Sequence, residues 1–170
     1  MKKTNVELEK DALQMHFEFE DIEERHAVVL EGLPMPPSSN HQYKLFRRNG
    51  KTYHVPSTEL KTFKAAITHY TLKNSSQYLA CLNLISQWRK EKHLFHCNAT
   101  FYFKKPRIFT LKGEPRKIDV SNRIKAIHDS VSQMLHLDDS YFFSIGAKKL
   151  ICKEGDEEHV TIEIFPHTDH

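Results

Sequence analysis

At 170 residues, 39% apolar and 28% charged, the chain fits one domain with a buried core and excludes a disordered polymer. No apolar run reaches the roughly 18–20 residues of a membrane span, and the net charge is only +3. That charge is uneven: residues 1–25 carry eight acids and four bases, 44–73 seven bases and one acid, and 104–125 eight bases and two acids. The two basic blocks suggest a polyanion-binding face, the alternative being a pair of solvated surfaces. Cys81, Cys97 and Cys152 are odd in number and scattered. They argue for buried thiols in a reducing, cytoplasmic compartment rather than a disulfide framework.

In chain order, residues 1–25 form an acidic N-terminal extension whose two lysines precede no apolar stretch, so no signal peptide is expected. Its Val6, Leu8 and Leu13 have weak helical spacing, while Met15, Phe17 and Phe19 alternate, so its secondary structure stays open. The domain is expected over 26–166, with a loose tail at 167–170. His26–Glu31 reads as a buried strand. GLPMPPSSN follows as a fixed, extended loop, because proline neither donates to a ladder nor continues a helix. Tyr43–Pro56 reads as a hairpin: Asn49-Gly50 suits a type I′ turn, and Arg47, Arg48 and Lys51 crowd its tip.

Ser57 is a good N-cap for a helix whose stripe is Leu60, Phe63, Ile67 and Tyr70. Asn74-Ser75-Ser76 breaks or bends it, and helical spacing resumes from Tyr78 to about Lys92. Leu94–Phe103 reads as a strand rich in aromatic and β-branched residues. Residues 104–117 form a basic loop with two prolines and one glycine, of a length usually functional or mobile. A helix over 120–135 carries the stripe Ile124, Ile127, Val131, Met134 and Leu135. A turn at His136–Ser140 holds Asp138 and Asp139, and strands follow at Tyr141–Cys152 and Glu158–Phe165, joined by KEGDEE. This order gives an α/β or α+β class.

The chemistry gathers in Ile118–Asp129, IDVSNRIKAIHD. At about 100° per residue, Lys125 lies about 60° and Asp129 about 20° from Asn122, so the three share one helix face. Asp119 precedes that helix, at the mouth of the basic loop. Paired carboxylates hold Mg²⁺ together with phosphate oxygens and water, and a nearby lysine can stabilise charge on phosphorus or protonate a leaving oxygen. Asp119 as an N-cap, a wet helix face and an ordinary Asp-Asp turn are the structural alternatives. No Gly-rich phosphate loop, nucleophile elbow or zinc-ligand spacing is present, so no organic cofactor is expected.

The loop GLPMPPSSNHQY, the basic hairpin ending in TYHV, DVSNRIKAIHD, LDDSY and the later KK, in this order, resemble the RusA family of Holliday-junction resolvases over about residues 28–165. The resemblance implies a mixed sheet of about four strands with helices packed on it, plus the basic hairpin. It implies a homodimeric endodeoxyribonuclease, dependent on Mg²⁺ with Mn²⁺ as an alternative, acting on four-way DNA junctions without a membrane. It places catalytic roles on Asp119, Asn122, Lys125, Asp129 and Asp139. Metal ligation falls to Asp119 and Asp139, with Asp138 beside them. The family's second motif aspartate falls on Ser121, a neutral and weaker oxygen ligand. Three alternatives stay open: Asp119 and Asp139 act alone, Asp129 or Glu114 replaces the charge, or the protein binds junctions without cutting them well. Phosphate contacts are expected from Arg47, Arg48, Lys51, Lys104, Lys105, Arg107, Arg116, Lys117 and Arg123. Phe46, Tyr53 and Phe109 are either base-stacking groups or ordinary anchors.

Overall fold

Alternating apolar residues organise the sheet. The structure, a computed structural model, describes residues 27–167. The central strand β4, Phe95–Phe103, buries Phe95, Cys97, Ala99, Phe101 and Phe103. Beside it, antiparallel, runs β6, His159–Pro166, which buries Val160, Ile162 and Ile164. On its other side, parallel, lies β5, Phe142–Ile151. The strand β1, Val28–Pro34, pairs antiparallel with β6, giving the order β1-β6-β4-β5. This is a four-stranded mixed sheet, as the family resemblance implies.

Helices α1 (Thr58–Lys73), α2 (Ser75–Lys90) and α4 (Ser121–Met134) pack their apolar stripes on it. Leu60, Phe63, Ile67, Ile85, Trp88, Ile127 and Val131 join the strand residues in one core cluster. Ser57 caps α1, its hydroxyl accepting from the Leu60 amide at 3.0 Å. Asn74 separates α1 from α2. The hairpin of β2 (Tyr43–Arg48) and β3 (Lys51–Pro56) forms its own sheet, exposed along its length. Its turn uses φ 50° at Asn49 and 72° at Gly50, the left-handed values a type I′ turn needs.

Three boundaries differ from the sequence reading. The first strand runs to Pro34 rather than stopping at Glu31; its register shifts between Leu30 and Leu33, where Gly32 has φ 70°. Proline is tolerated there because β1 is an edge strand. The basic loop opens with one helical turn, α3 (Lys105–Ile108), with Pro106 in its first turn, where the missing N–H costs nothing. A bridge between Phe109 and Pro115 then closes the loop on itself. His167, expected within the loose tail, is held: its amide donates to the Leu94 carbonyl at 2.7 Å. The expectations for 1–25 and 168–170 lie outside the described residues. Among the described residues, no helix is long and apolar enough to cross a membrane.

Two outcomes follow from the core. Ile127 is fully buried and anchors α4, so Ile127→Ala should cost about 2–5 kcal/mol, read as a lower urea midpoint at unchanged m. All three cysteines are free and buried, and burial pushes the Cys97 thiol up to about 12. Alkylation of Cys97 at pH 8 should therefore track unfolding; rapid modification in native buffer would contradict its burial.

Candidate active site

α4 presents its polar face as the helical wheel requires. Ile127 and Val131 are buried on one side, while Lys125 and Asp129 are exposed on the other, with Lys125 Nζ 3.8 Å from Asp129 Oδ2. The N-terminus of α4 opens into a cleft of about 790 Å³ lined by Ser38, Asn40, Pro106, Arg107, Arg116, Lys117, Ile118, Asp119, Asn122 and Arg123. The proline-rich segment is one wall of it. The Arg123 guanidinium donates to the Pro36 carbonyl, and the buried Gln42 side chain donates to the Pro37 and Asn122 carbonyls at 3.2 and 3.3 Å.

Asp119 sits in that cleft and takes up local hydrogen bonds. Its Oδ1 accepts from the Ser121 amide at 2.9 Å and from the Ser121 hydroxyl at 2.5 Å. The Ser121 hydroxyl, above all, holds the Asp119 carboxyl below its ordinary range; the Ser121 and Asn122 amides and nearby Lys117 act the same way. Ser121 therefore does not reproduce a carboxylate. It donates its proton to the one that precedes it and fixes that side chain.

The Asp-Asp turn divides its labour. Asp138 Oδ1 accepts from the Ser140 amide at 2.9 Å and caps the 3₁₀ turn Asp139–Tyr141; this hydrogen bonding to Ser140 holds its carboxyl low. Asp139 stays 77% exposed and reaches back along α4, its Oδ1 3.9 Å from His128 Nδ1. His128, Asp129 and Asp139 place ligand atoms within 4.8 Å of one another. Among the described residues, this is the one group of three or more His, Cys, Asp or Glu so placed. Asp119 stands apart from it. His128 lies seven positions after Ser121, roughly 10 Å of helix rise.

Sequence reasoning missed His128. Its ring is buried edge-on to Phe142, with centroids 4.4 Å apart, and burial holds its pKa below the ordinary value against the pull of Asp139 and Asp129. Its sequence signal was weak: one histidine of twelve, at the border between the apolar stripe and the polar face. Gln42 was missed too, because its burial depends on the fold of the proline segment.

The expected phosphate contacts form three groups. Lys104 and Arg107 pair with the KEGDEE turn, at 3.1 Å to Glu157 and 3.7 Å to Glu158. Arg116 and Lys117 line the cleft, with Arg116 Nε donating to the Phe109 carbonyl at 3.3 Å, while Lys105 is exposed just outside it. Arg123 is half-buried, its guanidinium 5.8 Å from the Phe103 ring centre, so it anchors the wall as well as lining the cleft. Arg47, Arg48 and Lys51 are exposed on the hairpin. Phe46 and Tyr53 face each other across its strands, both exposed, whereas Phe109 packs on the core.

The family profile described as Endodeoxyribonuclease RusA matches residues 34–165. No match was found among the curated proteins compared. The matched span takes in the proline wall, the hairpin, the basic cleft, the polar face of α4 and the Asp-Asp turn. The chain belongs to the RusA family of endodeoxyribonucleases.

Proposed function

We propose that this chain is a Mg²⁺-dependent, structure-selective endodeoxyribonuclease that resolves four-way DNA junctions in recombination and repair, acting as a cytoplasmic homodimer. The observation that carries the reading is one helix face, with Asn122, Lys125 and Asp129 in file, Asp119 at its head and Asp139 folded back against it. The donor set suits a hard divalent cation: Asp139 and Asp129 offer exposed carboxylates, and Asp119 is held ionised. Asp119 and Asp139 are the proposed principal ligands, with Asp138 and the Ser121 oxygen beside them. A bound Mg²⁺ would neutralise phosphate charge and supply an activated water.

The chain's own groups do the rest. Arg116, Lys117 and the hairpin cations bind the phosphate backbone. Asn122, at the cleft floor, orients the strand or its water. Lys125, steered by Asp129, stabilises charge on phosphorus or protonates the leaving oxygen. Dimerisation finds support in the edge of β5, unpaired among the described residues, which exposes Phe143, Ile145, Leu150 and Ile151. A two-fold dimer matches the two symmetric scissile phosphates of a junction.

Ser121 favours a second reading, a branched-DNA-binding accessory protein with little cleavage. The deciding experiment incubates the protein with a labelled four-way junction, with Mg²⁺, with Mn²⁺ and with neither. Paired symmetric nicks that disappear in Asp119→Asn are expected. Salt-sensitive binding without nicks, converted to cutting by Ser121→Asp, would establish the accessory protein instead.

A further inference from the structure

We infer that His128 joins Asp129 and Asp139 in a divalent-cation site, and that its imidazole biases this site toward Mn²⁺ over Mg²⁺. The inference rests on the metal-dependent reading above. Its starting point is an oddity of packing. His128 is 7% exposed, and its Nε2 is buried without a hydrogen-bond partner. Its Nδ1 points at Asp139 from 3.9 Å, beyond hydrogen-bond length. A buried imidazole with neither nitrogen satisfied is unfavourable for the fold alone. An apolar ring would pack as well against Phe142.

The surroundings supply what a cation needs. The ligand atoms of His128, Asp129 and Asp139 lie within 4.8 Å of one another. Around an ion with bonds of about 2.1 Å, neighbouring ligands stand about 3 Å apart and opposite ones about 4.2 Å. The site therefore needs only a small closure. Asp129 and Asp139 are exposed and can rotate, while the buried ring is fixed. Two carboxylates face one ammonium, Lys125 at 3.8 Å from Asp129, so a divalent ion offsets a net negative charge. It would also release Lys125 from Asp129. Among the described residues no such set exists at the other end of the helix, where Ser121 donates its hydroxyl to Asp119. The nitrogen ligand sets the preference: Mg²⁺ favours an all-oxygen shell, and an imidazole moves a mixed site toward transition ions.

The test reads metal binding by the whole chain, without DNA. Mn²⁺ is titrated into EDTA-stripped, dialysed protein, free ion is measured by electron paramagnetic resonance, and Mg²⁺ is then added as competitor. One Mn²⁺ per chain is expected. Asp129→Asn and His128→Ala should each weaken it at least about 10-fold, and His128→Ala should lower the Mn²⁺/Mg²⁺ ratio. Circular dichroism checks folding. Should His128→Ala unfold, Asp129→Asn and the imidazole nitrogen coupling in the spin-echo spectrum of the wild-type Mn²⁺ complex decide instead. Retention of Mn²⁺ in Asp129→Asn, absence of nitrogen coupling, or no stoichiometric binding by the wild type would overturn the inference. Normal Mn²⁺ binding without junction nicks would count against the nuclease reading alone.

Discussion

Asp139→Asn should lower junction nicking at least about 100-fold while leaving the fold intact. The substitution removes an ionised oxygen from a position 77% exposed and 3.9 Å from His128, so it deletes charge without opening a cavity. Charge stabilisation by a held cation accounts for several kcal/mol of transition-state energy, and each 1.36 kcal/mol is about tenfold in rate. Junction binding in Ca²⁺ should hold or tighten, because a negative group beside the phosphate path is gone. Single-turnover cleavage with enzyme in excess separates the two effects. A parallel loss of binding and cutting would assign Asp139 to docking instead of chemistry.

The second large effect is expected from the cleft. The double change Arg116→Glu and Lys117→Glu reverses two of its charges. Junction affinity should fall on the order of 100-fold at moderate salt. The slope of log K against log salt should flatten by about two, since each phosphate left without its cation accounts for roughly 0.9. Lys117 also helps hold Asp119 ionised, so residual cutting should shift to higher pH as the Asp119 carboxyl rises toward its ordinary value. Equilibrium binding across a salt series, compared between junction and linear duplex, is the measurement. An unchanged slope would move the DNA path to the hairpin cations.

Much of this was legible because it is local. Asn49-Gly50 dictates a hairpin by backbone sterics, Ser57 dictates a cap, and the apolar spacing of Ile124, Ile127 and Val131 dictates which face of α4 is dry. Sequence spacing therefore also put Lys125 beside Asp129. What escaped depends on distant partners. Pro34 reads as a loop until β6 offers it His159. Consecutive in sequence, β5 and β6 suggest a pair, yet β4 lies between them. His128 acquires its character only when Phe142 covers its ring and the turn brings Asp139 back. The Ser121 hydroxyl reads as a missing ligand, whereas its hydrogen bond makes it the residue that positions Asp119.

The sheet also constrains how the protein is made. Val28 lies opposite Ile164, so among the described strands the first has no partner until nearly the last residues of the domain have left the ribosome. The phenylalanine-rich β4 can take β5 on one side first, but its other side waits for β6. Before β6 emerges, the hairpin, the helices and the β4–β5 pair can form, but β1 cannot join the sheet. The nascent chain must therefore keep a row of apolar residues out of reach of other chains until β6 emerges, and closure of the sheet is a late event. Such an enzyme should gain more in yield from slower induction or lower temperature than from any surface substitution.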